Sequence, residues 1–586
     1  MVEDMDLEAL YAEMLRQIKQ DYEDSGFAIV SPQVEWSEIM LPMTDGIRLM
    51  TYICRPQMVS ERDTDKIPVI IQRSPYVHSL DIYRIHGENL AKRGFGYVLQ
   101  ICRGCGESEG NWEPNVNERK DGSDTLHWLA ECPWADCIGY WGDSYLALTG
   151  WCVADILPEK VRGMYLGVYG TDRFISAYEK GLFRMDVLTS WAMENAGFPI
   201  TADYLESCRY RPQLAVDEKL WGRKLPWYRE WIMATKEDDT YWQEGFWKML
   251  KDIPSKVSVP IYLTEGWYDH HLGSALRTWE NLSEQAKEMS TLSIGSWNHY
   301  SRNCLEWDSP CNLQNSEIQS MLDWFGKILC RKEIPKKNIR IYLIGKDTWR
   351  NLNKWPPTVE RVRKYYLSQT VFDCPGRKVS DAPEGTVNAY TLAEGNMADE
   401  KNVFSFTYDP EEPVMSYGGE AMLYSIEKVG SLYQPLPGWR KDVLSFISEP
   451  LMQDILTVGR IHVKLHVASD CQDTAFTAKV MEIFADGKAV NIRSSITTIA
   501  ADREGMEPYI PGEITEVEIN MWDIAWQFSK GSRIRLDISS SDFPQYAVHS
   551  NYTGIWSKQE YTRIAEQKIV NTSIHPSFLE LPILES

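Results

Sequence analysis

The chain has 586 residues, of which 43% are hydrophobic and 25% are charged. A chain of this length exceeds what one hydrophobic core supports and predicts about three to four domains, with the composition of a globular protein rather than a disordered one. The formal net charge of -23 opposes binding to phosphate backbones and to anionic membrane surfaces. We therefore expect neither nucleic acid nor a membrane as a partner.

The first 30 residues predict a docking helix rather than a targeting signal. Apolar residues recur at helical spacing from Leu7 to Ile18, without the basic and apolar regions of a signal peptide.

The twelve cysteines are scattered, and Cys102 with Cys105 lacks the second pair that a structural zinc site needs. We expect a cytoplasmic protein with reduced thiols, no cofactor and no metal. A homo-oligomer is compatible with the sequence.

The next segment has the pattern of an α/β domain. Asp45-Gly46 between two apolar runs predicts a β-hairpin. From Val69 to Gly170, strand-like apolar runs alternate with helical patterns, which is typical of βαβ units around a parallel sheet. Similar units return later, so the sequence predicts one α/β domain built from residues 31–171 and 258–335.

Two regions break this alternation. Residues 172–257 are rich in Trp, Tyr, Met and charge without strand patterning, which predicts a helical cap inserted into the α/β domain. Residues 336–586 contain many short β-rich runs separated by turn residues. That spacing predicts an all-β sandwich or jelly roll as a separate domain.

Residues Ile138 to Gly150 contain the first candidate for chemistry. A short apolar strand leads into Gly142-Asp143-Ser144, and a helical pattern follows. Small residues before a serine at such a junction permit a nucleophile elbow, a sharp turn that exposes the hydroxyl above the sheet. Leu146 stands where the usual G-x-S-x-G pattern has its second glycine, and taken alone the serine fits an ordinary helix N-cap better. Ser144 is therefore a candidate nucleophile that needs partners elsewhere.

Two partners follow in the order that α/β-hydrolases use. A serine nucleophile needs a histidine base and a carboxylate that orients this base. Asp269 follows the strand-like IYLTEGWY, and His299 follows LSIGSWN. Singly, Asp269 could be a helix cap and His299 a surface histidine. Together with Ser144 they predict a Ser-Asp-His triad.

The developing oxyanion also needs hydrogen-bond donors. The backbone N–H of Tyr145, directly after the candidate nucleophile, is one candidate. The side chain of Tyr76, directly after the strand-like PVIIQRS, is a second candidate, although its position beside Pro75 also fits a packing role.

Beyond these residues, the whole chain resembles the superfamily of cocaine esterase, X-Pro dipeptidyl-peptidase and α-amino-acid ester hydrolase, also known as CocE/NonD-type serine hydrolases. The resemblance implies an α/β-hydrolase core, a helical cap and a C-terminal jelly roll of the galactose-binding-like type. It also implies that the Tyr76 hydroxyl is an oxyanion donor. The matching segments are residues 43–49, 73–76, 103–110, 142–145, 266–269, 295–299, 531–536 and 540–544.

Three residues depart from the pattern of this family. Cys102 stands where Asp is usual, Ala147 where the elbow commonly has Gly, and Asn298 where Ser precedes the triad histidine. None of these changes removes a member of the predicted triad or an oxyanion donor.

The sequence indicates the type of reaction more specifically than the chemical class of the substrate. Relatives that act on α-amino esters resemble one another in having acidic residues two and three positions after the triad Asp, where this chain has His271 and Leu272. A substrate ammonium group would lose that counter-charge. Aromatic residues near the motifs suggest an apolar pocket, although each could instead fill the core. The predicted pocket residues are Trp141, Trp267, Tyr268, His270 and His271.

These observations favour hydrolysis of an ester in a small apolar or aromatic substrate through an acyl-enzyme. The first alternative is an amide-bond hydrolase, either an X-Pro dipeptidyl-peptidase-like peptidase or an acylase. The second is a catalytically inactive protein whose jelly roll binds a ligand.

Overall fold

The computed structural model describes residues 7–57, 66–300, 303–312, 316–359, 361–371, 389–395, 402–420 and 429–584. Two large sheets organise these residues, a mixed α/β sheet in the N-terminal part and an all-β sheet in the C-terminal part. This division confirms the predicted fold class.

The first sheet has ten strands, in the order β1-β2-β4-β3-β5-β6-β9-β10-β11-β12. The pairs from β4 through β11 are parallel, so the carboxyl ends of β5, β9 and β10 lie at one edge of the sheet. The strands are β1 (Val34–Pro42), β2 (Arg48–Pro56), β3 (Ile67–Ser74), β4 (Gly96–Ile101), β5 (Ala135–Asp143), β6 (Val161–Gly167), β9 (Ile261–Gly266), β10 (Thr291–Gly295), β11 (Asn338–Leu343) and β12 (Thr348–Leu352).

The predicted hairpin is present between β1 and β2. The strands pair antiparallel from Val34 opposite Pro56 to Pro42 opposite Arg48. Gly46 closes the turn with a φ of 85°, which a residue with a Cβ rarely adopts.

Helices flank this sheet. The N-terminal helix α1 docks through Tyr22, whose hydroxyl lies 3.1 Å from His86 Nδ1; the first six residues of the predicted docking helix lie outside the described residues. No helix in the described ranges is long and apolar enough to cross a membrane. The flanking helices are α1 (Leu7–Asp24), α2 (Leu80–Lys92), α3 (Glu118–Glu131), α4 (Tyr145–Trp151), α12 (Leu272–Asn281), α13 (Glu284–Lys287) and α14 (Glu317–Phe325).

Short helices dominate the segment between β6 and β9, as predicted for the cap. Its hydrophobic interior includes Trp221, Tyr228 and Trp231. A two-stranded ribbon, β7 (Tyr178–Glu179) with β8 (Leu182–Phe183), interrupts the helices. The helices are α5 (Arg173–Ala177), α6 (Met185–Glu194), α7 (Tyr204–Arg209), α8 (Val216–Lys219), α9 (Pro226–Met233), α10 (Thr240–Gln243) and α11 (Gly245–Asp252).

In the described residues, the C-terminal sheet has eleven strands, and the short helix α15 (Ile499–Asp502) follows one of them. Its strands pair antiparallel except for β14 with β16. The strands are β13 (Arg361–Val371), β14 (Tyr390–Glu394), β15 (Asn402–Tyr408), β16 (Leu444–Ser448), β17 (Ile455–Ser469), β18 (Ala475–Ile483), β19 (Ala489–Thr498), β20 (Thr515–Phe528), β21 (Arg533–Ser539), β22 (Ala565–Asn571) and β23 (Phe578–Ile583).

The first sheet extends further along the chain than the predicted boundary at residue 336. Strand β11 pairs parallel with β10, and β12 pairs antiparallel with β11. The sequence prediction placed these runs in the β-domain because a local pattern identifies a strand but not the sheet it joins. Their pairing covers the edge that β10 would otherwise expose.

Candidate active site

The turn after β5 has the geometry of a nucleophile elbow. Ser144 adopts φ 55° and ψ -123° between the end of β5 and the start of α4. A Cβ on Gly142 would lie 2.2 Å from the carbonyl oxygen of Leu146, and one on Gly167 would lie 2.0 Å from Asp143 Oδ1. Gly142 therefore needs to be glycine for the turn to close against the backbone, and Gly167 leaves room for the Asp143 side chain. The Leu146 side chain is buried in the core.

The structure brings the three predicted triad residues together. His299 Nε2 lies 2.8 Å from Ser144 Oγ, and His299 Nδ1 lies 2.6 Å from Asp269 Oδ2. Asp269 is fully buried, and its other oxygen accepts the backbone N–H of His271 at 2.6 Å. The carboxylate is thus fixed on one side by the backbone and on the other by the imidazole.

The two residues predicted to supply the oxyanion donors, Tyr76 and Tyr145, are in contact through their rings, and Tyr145 directly follows Ser144. Tyr145 is the first residue of α4, so its N–H belongs to the helix end that lacks intrahelical acceptors. The rings of Tyr76 and Tyr145 are in edge contact, with centroids 6.2 Å apart. Burial raises the pKa of Tyr76, which keeps its hydroxyl protonated at neutral pH.

A cap residue fixes the orientation of the Tyr76 hydroxyl. Trp191 Nε1 on α6 donates to the Tyr76 hydroxyl oxygen at 3.1 Å. The hydroxyl oxygen accepts this hydrogen bond, so the hydroxyl proton remains available to donate to another acceptor. The Trp191 ring also stacks on that of Tyr145, with centroids 6.0 Å apart.

Glu118 forms a buried polar centre behind the elbow. Its carboxylate pairs with Arg73 at 3.0 Å and accepts the Tyr145 hydroxyl at 3.0 Å. Cys102 Sγ lies 3.4 Å from Glu118 Oε2. The thiol at the position where the family usually has Asp therefore contacts this buried carboxylate.

A cavity that is partly open to solvent lies above Ser144. Its core side includes Ser144, Tyr145 and His299, and its cap side includes apolar residues of α6 and α9. The β-domain supports this region from behind: the Arg493 guanidinium lies 5.4 Å from the Tyr268 ring. The cap residues in the wall are Arg173, Val187, Leu188, Trp191 and Trp231.

The five predicted pocket residues divide into two groups. His270 and His271 line the cavity. Trp141, Trp267 and Tyr268 lie in the protein interior rather than in its wall. Trp141 packs against His86, with ring centroids 4.7 Å apart, and Trp267 donates its indole N–H to the Tyr342 carbonyl at 2.8 Å. The sequence allowed these three aromatic residues to line a pocket or to fill the core, and in the structure they fill the core.

The two wall histidines are neutral at ordinary pH. Burial lowers the pKa of His270 and of His271 well below the usual range, and the neighbouring positive charges act in the same direction. His271 Nδ1 is 2.9 Å from the Ser176 hydroxyl, whereas His270 Nδ1 has no hydrogen-bond partner among the described residues.

Potential metal-ligand atoms of Asp269, His270 and His299 lie within 4.8 Å of one another. The same Asp269 and His299 side chains form the triad hydrogen bond at 2.6 Å. A metal ion bound to this set would therefore compete with the catalytic arrangement.

Three residues of the site were not predicted from the sequence: Arg173, Trp191 and Glu118. Arg173 follows β6 at the same sheet edge as the triad, a signal that could have identified it. Trp191 lies in a cap helix, and no local pattern shows which cap residue reaches Tyr76. Glu118 has the sequence context of an ordinary acidic residue in the first turn of α3, so no local signal identifies it.

Comparison with known proteins gives matches along nearly the whole chain. Residues 45–301 match the family described as X-Pro dipeptidyl-peptidase (S15 family), and residues 335–580 match the X-Pro dipeptidyl-peptidase C-terminal non-catalytic domain. Cocaine esterase of Rhodococcus sp. (strain MB1 Bresler) is 27% identical over 590 residues, which cover 94% of this chain and 98% of the relative.

Two solved structures share the overall fold. An aminopeptidase from the marine sediment archaeon Thaumarchaeota archaeon has a TM-score of 0.73 at 18% identity, covering 96% of this chain and 97% of its own. An α-amino acid ester hydrolase has a TM-score of 0.72 at 18% identity, covering 95% and 98%.

The fold and these matches define a serine hydrolase with an α/β core and a C-terminal β-domain. Within that class, these matches support a CocE/NonD-type family for the chain.

Proposed function

We propose that this enzyme hydrolyses esters through an acyl-enzyme on Ser144. The observation that carries the proposal is the continuous hydrogen-bonded chain from Ser144 Oγ through His299 to Asp269, at 2.8 and 2.6 Å. His299 takes the serine proton as Oγ attacks the acyl carbon, and returns it to the leaving alcohol. Water then attacks the acyl-enzyme. His299 takes a proton from this water and returns it to Ser144 Oγ as the acid is released.

The tetrahedral intermediate carries a negative oxygen that needs donors. The Tyr145 N–H and the Tyr76 hydroxyl are proposed to supply them. The Tyr76 hydroxyl is suited to this role because Trp191 occupies its oxygen as a donor at 3.1 Å. Donors fixed before the reaction stabilise the transition state without reorganisation.

The cavity wall favours an ester with an apolar or aromatic group over an α-amino substrate. Its apolar side includes Leu188, Trp191 and Trp231. Among the described residues that line it, none is Asp or Glu, so an ammonium group would be buried without a counter-charge. This is our reason for ranking ester hydrolysis above aminopeptidase or amino-ester hydrolase activity.

A substrate panel tests this ranking. 4-Nitrophenyl esters of aliphatic and aromatic acids are compared with Xaa-Pro 4-nitroanilides, using the wild type, Ser144→Ala and the exposed-serine control Ser255→Ala. We expect ester turnover that is lost in Ser144→Ala and kept in Ser255→Ala. Turnover of the anilides alone would instead favour the amide-bond hydrolase. Turnover of neither class would favour the non-catalytic binding protein.

A further inference from the structure

Arg173 is a charged residue in the wall of the cavity that contains Ser144 and His299. It is the first residue of α5, which begins the cap shortly after β6 ends at the active-site edge of the sheet. The triad and oxyanion chemistry above gives this side chain no role.

Two aromatic rings hold the guanidinium. Its central carbon lies 5.2 Å from the centroid of the Trp231 ring and 6.0 Å from that of Trp247. Both tryptophans are buried. A cation–π contact of this kind uses the faces of the rings and no hydrogen-bond acceptor, so it leaves the guanidinium N–H groups available to donate.

Arg173 forms no ion pair with a carboxylate of the described part of the chain, unlike Arg184 and Arg493. Arg184 pairs with Glu179 at 3.2 Å, and Arg493 pairs with Glu420 at 3.1 Å. The adjacent acid, Asp172, is instead paired with Lys251 at 3.0 Å. The positive charge of Arg173 is thus not neutralised by a local acidic partner.

The rest of the wall does not offset this charge. The described lining residues include neither Asp nor Glu, and His270 and His271 are neutral because burial lowers their pKa. The net charge of -23 repels anions at long range, but salt screens such fields beyond about 8 Å at physiological ionic strength. Inside the cavity, the nearby guanidinium therefore determines which charge is favoured.

We propose that Arg173 binds a carboxylate of the substrate, so that the enzyme prefers esters with a carboxylate next to an apolar or aromatic portion. This inference rests on the proposed ester hydrolysis at Ser144 and specifies its substrate class. A guanidinium presents two parallel N–H groups that match a carboxylate. A charge-assisted contact of this strength changes selectivity by about 10- to 100-fold.

Matched ester pairs test the proposal on both sides of the scissile bond. The acyl-side pair is the 4-nitrophenyl monoester of adipic acid beside 4-nitrophenyl hexanoate. The leaving-group pair is 3-carboxyphenyl hexanoate beside phenyl hexanoate. For each pair the measured quantity is the ratio of kcat/KM for the acid to that for the neutral ester, which does not depend on the fraction of folded enzyme.

We expect the wild type to prefer the acid in one of the two pairs, and that pair shows on which side the carboxylate binds. Arg173→Met should lower that ratio by about 10- to 100-fold, whereas Arg173→Lys should keep part of it. The control Arg331→Met, at an exposed arginine, should leave the ratio unchanged.

The failures of the two proposals are distinguishable. If the wild type hydrolyses the neutral esters but prefers them in both pairs, the carboxylate assignment is wrong and ester hydrolysis stands. The assignment is also wrong if Arg173→Met slows both members of a pair equally, since Arg173 would then serve the reaction or the fold in general. Hydrolysis of none of the four esters would overturn both proposals.

Discussion

The indole N–H of Trp191, in the cap, donates a hydrogen bond of 3.1 Å to the hydroxyl of Tyr76, on the loop after β3. This contact joins the inserted cap to the proposed oxyanion site of the core. Under the proposed mechanism, the contact gives a cap residue a part in positioning the Tyr76 hydroxyl.

Removing the Tyr76 hydroxyl should slow the chemical step. We expect Tyr76→Phe to lower kcat on a 4-nitrophenyl ester by about 100-fold with little change in KM, because loss of one oxyanion donor costs on the order of 10²-fold or more. Steady-state kinetics measure the effect. An unchanged kcat would remove Tyr76 from the oxyanion site.

Trp191→Phe should have a smaller effect of the same kind. The ring packing on Tyr145 would be largely kept, but the Tyr76 hydroxyl would lose the donor that orients it. We expect kcat to fall by about 3- to 10-fold, as for one modest hydrogen bond. The matched control is Trp227→Phe, since Trp227 contacts the Trp191 ring at 5.7 Å. Equal losses in both variants would indicate cap packing rather than hydroxyl orientation.

Glu118 should be a major source of stability in the α/β core. Its carboxylate and the Arg73 guanidinium are buried together at 3.0 Å. Glu118→Gln leaves the arginine charge uncompensated, and removing one partner of a buried pair costs about 3 kcal/mol or more. Urea unfolding followed by tryptophan fluorescence measures the loss, with the exposed Glu113→Gln as control. A change within 0.5 kcal/mol, about the usual size for a surface substitution, would contradict the assignment.

His86 should make the protein less stable in acid. Burial lowers the pKa of His86 to about 3, whereas an unfolded histidine has a pKa of about 6.5. Between these values the unfolded state holds the extra proton, so the free energy of unfolding falls as the pH falls. The contribution is about 1.4 kcal/mol per pH unit and is absent above pH 6.5.

The change that isolates this effect is His86→Gln. We expect its free energy of unfolding to fall less steeply than that of the wild type between pH 6 and pH 4, when both are measured by urea unfolding. His127→Gln, on the exposed face of α3, is the control and should keep the wild-type slope. Parallel slopes for the wild type and His86→Gln would show that the buried imidazole does not titrate as argued.

Much of this architecture was predictable because it depends on local patterns and chain order. The Asp45-Gly46 turn, the strand and helix alternation and the serine at the end of β5 each have a local signal. Ser144, Asp269 and His299 follow β5, β9 and β10 in that order. Because parallel strands end at the same edge of a sheet, this order was enough to predict that the three side chains lie close together. The hydrogen-bond distances agree with that prediction.

The remaining features depend on packing between distant segments. Trp141 and Trp267 are close in sequence to the triad motifs, but their side chains point into the core, and alternation along a strand cannot say which aromatic faces a ligand. Arg173 and Trp191 reach the site from the cap. Strand order predicts which residues lie at an edge of the sheet, but it does not predict which residues of the cap helices reach that edge. Strand β11 shows the same limit, because its own sequence does not specify that it joins β10.

The most direct test of the central claim is covalent labelling with a fluorophosphonate, followed by mass spectrometry of the digested protein. We expect one adduct on the peptide containing Ser144, no adduct in Ser144→Ala, and labelling slowed by on the order of 10³-fold or more in His299→Ala, which lacks the base. An adduct on a different serine, or labelling that persists in Ser144→Ala, would contradict Ser144 as the nucleophile.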